Sequence, residues 1–253
     1  MVFVYKNNLN SHKRFDEKIK ILVEWLAKFD FSTRQLMGLA MSVNSKGQGA
    51  FFKKMEEMNI IYKHTIAGTN KIIYSLSDIG NQLSSMYFPD VHIKEKRKKP
   101  SLVAISHSFN IQFILADYLH KHPNITYTSE KQLMNLNLQR RPDAIINMDG
   151  KKYAIEVEIT KKSMQKIYYN YAGHLKNVRQ GLYDRVIYIF NNKYTLEFYK
   201  RLNNESIWPV FDKSNTGGRL IQRKENGISK SFDSRLIKDM NIFDFQFNDM
   251  YIL

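Results

Sequence analysis

Apolar residues at Ile19, Leu22, Val23, Leu26 and Phe29 recur at helical spacing, so DEKIKILVEWLAKF reads as an amphipathic helix. Ser32 or Thr33 can cap a second helix, RQLMGLAM. After a turn at SVNS, Phe51, Phe52, Met55 and Met58 again share one helical face, which predicts a third helix from about Lys46 to Met58. Gly47 and Gly49 weaken that helix, each by about 1 kcal/mol relative to Ala, and would admit close approach of a phosphate. The segment IIYKHTIAGTNKIIYSLS alternates apolar and polar residues around AGTN, as a hairpin does.

Beyond the charged run KEKRKKP (94–100), which ends in a proline, the pattern changes. That run is the expected boundary between residues 1–93 and 101–253, with 94–100 as a basic linker. HSFNIQFILADYLHKHPN carries an apolar helical face, and ITYTSEKQLMNLN follows it. Two apolar runs then flank Asp149-Gly150 in RRPDAIINMDGKKYAIEVEITKKS. A helix from Ser163 to about Val178, a strand DRVIYIFNN, a helix TLEFYKRL and a strand SIWPVFD complete an α/β domain with a helix-covered sheet. The polar tail after it reads as a loop or surface extension, and NIFDFQFNDMYIL as an aromatic stretch that docks back on the core.

Asp149-Gly150 is a two-residue turn signal that fixes the register of its hairpin. Met148 then pairs with Lys151, and Asp143 lies opposite Glu156, with Cβ atoms ~4.5–5.5 Å apart and like charges repelling. Glu158 shares the face of Glu156, while Ala144, Ile146, Ile155, Val157 and Ile159 point the other way into a core. Removing one of the two opposed carboxylates should therefore relieve strain. Such a cluster is partly protonated, neutralised by nearby bases such as Lys161 and Lys162, or built to hold a hard divalent cation.

Charge sharpens this choice. The chain carries 39 Lys/Arg against 24 Asp/Glu, a net charge of +15, with 17 and 9 of these in residues 1–100. That balance favours a polyanionic partner, most often nucleic acid. A surface for such a partner would tolerate an acidic cluster mainly if a metal reversed its sign. The absence of cysteine excludes disulfides and thiol catalysis, and fits a reducing, cytoplasmic setting. No signal-peptide core and no run near the ~20 apolar residues of a membrane span is present, so membrane insertion is not expected.

Three helices followed by a hairpin resemble a winged helix-turn-helix. The third helix would be its reading helix, with Lys46, Gln48, Lys53 and Lys54 as polar contacts. The wing tip would lie near Gly68, Thr69, Asn70 and Lys71. RPDA, thirteen residues and IEVEITKK, with YTSEKQL ahead, resemble the PD-(D/E)XK nuclease core. That resemblance implies Mg²⁺ or Mn²⁺ held by Asp143 and Glu156, with Glu130 as a further ligand. The usual lysine two positions after the second acid is replaced by Glu158. Glu158 would then be a third ligand or general base, and Lys161 or Lys162 would supply the missing positive charge.

Together, the winged helix, a helix opening HSF and SE…RPDA…EVEITKKS resemble the MobC-type conjugative relaxases and the related plasmid replication-relaxation proteins. This implies a metal-dependent DNA endonuclease that nicks one strand at a plasmid or integrative-element transfer origin. Its partners would be double- and single-stranded DNA there, with accessory mobilisation and coupling proteins. The alternatives are a non-catalytic DNA-binding replication or regulatory protein with a degenerate nuclease fold, and a restriction or transposition endonuclease. Relaxases can use a tyrosine nucleophile, and KIYYNYAGHL offers Tyr168, Tyr169 and Tyr171. Tyr171 falls on an apolar stripe, which favours packing for it and a metal-activated water as nucleophile. His107 and His174 read as capping or packing residues.

Overall fold

A computed structural model describes residues 11–89, 100–122, 124–214 and 218–248, so almost all of the 94–100 run lies outside the described residues. The protein is mixed α/β with a mixed sheet. It forms two compact units that divide between Leu136 and Asn137, later than the boundary expected at 94–100.

In the first unit, α1 (Ser11–Phe29) and α2 (Arg34–Ala40) precede a 3₁₀ turn (Ser45–Gln48) and α3 (Gly49–Glu57). The hairpin β1 (Ile61–Thr65) and β2 (Ile72–Leu76) follows, then α4 (Asp78–Tyr87). Thr33 caps α2 by accepting the Leu36 N–H, and Ser32 exchanges both backbone hydrogen bonds with Tyr74 of β2. The two glycines act as expected: the third helix starts as a 3₁₀ turn and becomes α-helical only from Gly49.

The helix α5 (Leu102–Lys121) belongs to this unit because its apolar side chains find their partners here. Ile105 and Phe109 join Leu36 and Ile66 in one core cluster. The Trp25 indole donates to Gln112, whose amide donates to the Phe31 carbonyl. By length and hydropathy α5 is a candidate membrane span, yet Phe109, Ile114 and Leu115 are fully buried within the protein. After β3 (Thr126–Ser129), α6 (Glu130–Leu133) is tied back by Lys131, which donates to the Ala27 carbonyl and to Asp30 at the end of α1. A charge run marks a boundary only where packing also changes, and packing continues past this one.

The second unit is built on β4 (Ala144–Met148), β5 (Lys151–Glu158) and β6 (Arg185–Phe190). Between β5 and β6 runs α7 (Met164–Arg179), a crossover that makes the two strands parallel neighbours. After α8 (Lys193–Asn204) the expected strand SIWPVFD forms as two short ones, and further short strands stand in place of the expected polar extension. These are β7 (Ile207–Pro209), β8 (Phe211–Lys213), β9 (Leu220–Gln222), β10 (Lys224–Glu225), β11 (Ile228–Ser229) and β12 (Ser231–Asp233). They pair as β8–β9, β10–β11 and β12–β7. A 3₁₀ segment (Ser234–Met240) leads to β13 (Phe243–Phe247), which adds in parallel to β6. The aromatic end segment thus docks as a strand.

The register of the central hairpin is the one the sequence dictates: Met148 pairs with Lys151 and Ala144 with Ile155. Asp149 and Gly150 have φ of 52° and 74°, the left-handed pair of a type I′ turn. Gly150→Ala should lower the urea midpoint by about 1 kcal/mol of stability without changing the slope. An unchanged midpoint would show that this turn does not constrain the folded chain.

Candidate functional site

The strand β5 carries its acids inward. Glu156 and Glu158 are only 1% and 2% exposed, and Asp143 is 8% exposed. On the opposite face Ala144, Ile146, Ile155 and Val157 are buried as expected, so β5 has no solvent-facing side over this stretch. A buried carboxylate needs a partner, and each of the three has one.

Glu156 receives a bidentate guanidinium from Arg140, Nε at 2.9 Å and Nη2 at 2.6 Å. His174 of α7 lies 3.0 Å from its Oε1 through Nε2. Burial alone would raise the Glu156 pKa; the charges and hydrogen bonds of Arg140 and His174 overcome it and hold this carboxyl well below the usual range. Burial lowers the His174 pKa, so the ring is neutral with its proton on Nε2, facing the carboxylate. Its Nδ1 is then the acceptor for the Tyr183 hydroxyl at 2.6 Å. Asn177 donates to that hydroxyl and to the Arg140 carbonyl, and accepts the Gln139 N–H. Gly173 completes the fit: a Cβ there would stand 2.8 Å from the Arg140 Cβ, so a side chain at this position would push Arg140 off α7.

Asp143 is not a ladder partner of Glu156, although its charge is felt by Glu158 and Arg140. The ladder closes at Ala144; the Asp143 N–H donates to the Ile155 carbonyl, and its Oδ2 accepts the Val157 N–H at 2.7 Å. Glu158 is paired to Lys162 at 2.5 Å. Its pKa is pushed up to about 7 by burial, against Lys162 and with help from the charges of Glu156 and Asp143. The Tyr199 hydroxyl faces Glu158 at the margin of hydrogen-bonding geometry.

The remaining expected residues scatter. Lys161 lies over the Phe198 ring at 3.8 Å. Tyr171 is fully buried, its hydroxyl donates to the Tyr199 carbonyl at 3.0 Å, and burial holds its pKa well above 10. It is a core residue and no surface nucleophile. Tyr168 is also buried and donates to Glu205, while Tyr169 is half-buried. Glu130 opens α6 in the first unit, exposed. Lys46, Lys53, Lys54 and Lys71 are exposed on the third-helix segment and the hairpin. Gln48 accepts from Lys18 at 2.9 Å, which occupies its carbonyl within the unit.

Mg²⁺ or Mn²⁺ held jointly by Asp143 and Glu156 does not fit this donor set. Both Glu156 oxygens are taken by Arg140, one also by His174, and one Asp143 oxygen closes the backbone ladder. Among the described residues, no three His, Asp or Glu side chains form a metal-ligating group. Comparison of the chain with protein-family models, curated proteins and solved structures returns no match.

Sequence reasoning missed Arg140, Asn177 and Tyr183. It read His174 as a capping or packing residue; the ring is buried as a packing residue is, but its partner Glu156 was not foreseen. His174 was detectable: it falls on the same helical stripe as Tyr171, Leu175 and Val178, and a polar residue on a buried stripe calls for a polar partner. The expected relief of strain on deleting a carboxylate is reversed by Arg140. Arg140→Ala and Glu156→Ala should each destabilise the protein by about 3 kcal/mol at pH 7, because each leaves a buried charge unpaired. Urea titration measures this.

Glu158 gives a pH signature. It holds its proton more tightly folded than unfolded, so its contribution is complete below pH 4.5 and is lost as pH rises through about 7. Glu158→Gln stays neutral and should gain on the order of 3 kcal/mol relative to wild type between pH 4.5 and 8. A pH-independent difference between the two proteins would remove the assigned shift.

Proposed function

We propose that this chain is a DNA-binding protein in which a winged helix-turn-helix accompanies a restriction-endonuclease-like domain, and that its hairpin carboxylates are structural. The observation that carries the reading is the run of cations on the third-helix segment and hairpin. Lys46, Lys53, Lys54 and Lys71 are all exposed, while Phe51, Phe52 and Met55 bury the other side of α3. The ion pair Lys53–Glu57 is 3.8 Å long with both side chains largely exposed, so it holds little of that charge back from a phosphate. A groove between α1 and α3 adds Lys18 beside Arg14, and burial together with Arg14 lowers the Lys18 pKa. Cations crowded in this way gain from an anionic partner.

On this reading the chain is nearer in kind to the non-catalytic replication or regulatory proteins than to the nickases. The nickase reading keeps one observation in its favour: a carboxyl at about 7, as on Glu158, is suited to proton transfer. The restriction and transposition enzymes draw no separate support.

Full-length protein should bind duplex DNA with an affinity that falls steeply with salt. Lys53→Ala with Lys54→Ala should weaken it about tenfold at moderate salt and flatten the salt slope by about 1–2. Fluorescence anisotropy at several salt concentrations reads both, and an unchanged slope would take α3 out of the interface. Supercoiled plasmid should stay intact in Mg²⁺, Mn²⁺ or EDTA alike. Metal-dependent nicking that Glu158→Gln abolishes would restore the nuclease reading.

A further inference from the structure

The second unit contains a cavity of about 390 Å³ on the side of α7 that carries Tyr169 and Lys176, walled by the strands β7 and β8. The size lies within the ~300–1,000 Å³ of small-ligand sites. None of the hairpin carboxylates lines it, although Gln139 and Gly173, which pack in the Glu156 network, form part of its wall.

Its walls combine three kinds of chemistry. Aromatic surface comes from Tyr169, Trp208 and Phe232, with the last two rings 5.8 Å apart. Positive charge comes from Lys176, Arg179 and Lys213, all exposed at the rim. Arg179 lies 5.7 Å from the Phe232 ring and Lys213 5.8 Å from that of Tyr169, so flat apolar faces and cations stand side by side. The acidic member, Asp212, is clamped by both arms of Arg223, whose hydrogen bonds hold its pKa down, and it leaves the other three cations in excess. The third element is a donor. Trp208 is 3% exposed and its indole N–H has no acceptor in the protein. That N–H is closed off in this conformation, so an acceptor in the cavity reaches it only with a shift of the ring or its neighbours.

We propose that this cavity binds a nucleotide unit: a planar base against the aromatic wall, with a ring nitrogen or carbonyl accepting from Trp208, and a phosphate at Lys176, Arg179 and Lys213. Stacking and cationic contacts of this kind are what unpaired nucleotides offer a protein. The unit can come from a free nucleotide or from a single strand. The proposal stands on the cavity alone and does not rest on duplex binding by the first unit.

The test is titration of the full chain with dAMP, dTMP, inorganic phosphate and a ten-residue oligothymidylate, followed by calorimetry. Saturable binding of a mononucleotide identifies a free-nucleotide site, and binding of the oligonucleotide alone identifies a site for a single strand; either supports the proposal. Arg179→Ala with Lys213→Ala should weaken binding at least tenfold, and Trp208→Phe about threefold to tenfold. The Arg179→Ala, Lys213→Ala variant should keep the wild-type unfolding midpoint, and Trp208→Phe, a core substitution, should lower it while leaving the protein folded at the titration temperature. Lys53→Ala with Lys54→Ala should leave this binding unchanged, so failure of the duplex reading and failure of this one remain distinguishable. The proposal is overturned if neither nucleotide form binds at millimolar concentration. It is also overturned if phosphate binds as well as dAMP, or if folded Trp208→Phe binds like wild type.

Discussion

The pairing of Glu156 with Arg140 and His174 is the constraint on which the second unit depends. A carboxylate 1% exposed in a central strand is tolerable only with its charge matched. Each group that matches it is positioned by another element. Arg140 reaches Glu156 because Gly173 lets it lie against α7, and Asn177 of the same helix holds its backbone carbonyl. His174 takes its tautomer from Tyr183, which follows α7. One buried charge thereby fixes the segment before β4, the strand β5, the crossover helix and the approach to β6.

Such a network adds little net stability, since an apolar replacement of similar volume often does as well. Its effect is asymmetric. Each partner is costly to lose alone, so the set holds together in one arrangement. Glu158 differs in kind: Lys162 is part-exposed and lies four residues along the same strand end, and the acid it meets is left near neutral pH. The same strand therefore carries one carboxylate locked in its charged form and, two residues on, another that titrates in the physiological range.

What was legible in the sequence was local. The Asp149-Gly150 turn dictates backbone dihedrals that only one register satisfies, so every pairing of β4 with β5 could be read off. The helical stripes of α1, α3 and α7, the cap of α2 at Ser32 or Thr33 and the start of α7 near Ser163 are likewise settled within a few residues. The pairing of the acids was not, because Arg140 stands 16 residues from Glu156 and meets it only once α7 has packed. The short strands from Leu220 to Asp233 escaped for another reason: two or three residues show no alternation to detect. The unit boundary escaped because KEKRKKP is prominent in charge, whereas the bonds of Gln112 to Trp25 and Phe31 that bring α5 into the first unit span more than 80 residues.

The acidic hairpin first looked paradoxical in a chain of net charge +15. Sequence reasoning resolved it by calling on a metal to reverse the sign of the cluster. The geometry offers a resolution with the chain's own groups. Arg140 cancels Glu156, Lys162 opposes Glu158, and the backbone N–H of Val157 solvates Asp143. Buried and compensated, these acids project little negative potential outward. The exposed cations of the third-helix segment and those around Trp208 are then not offset by the hairpin acids. An acidic hairpin can in this way be accommodated in the core of a basic chain, because each of its acids meets a base or a backbone N–H of the same unit.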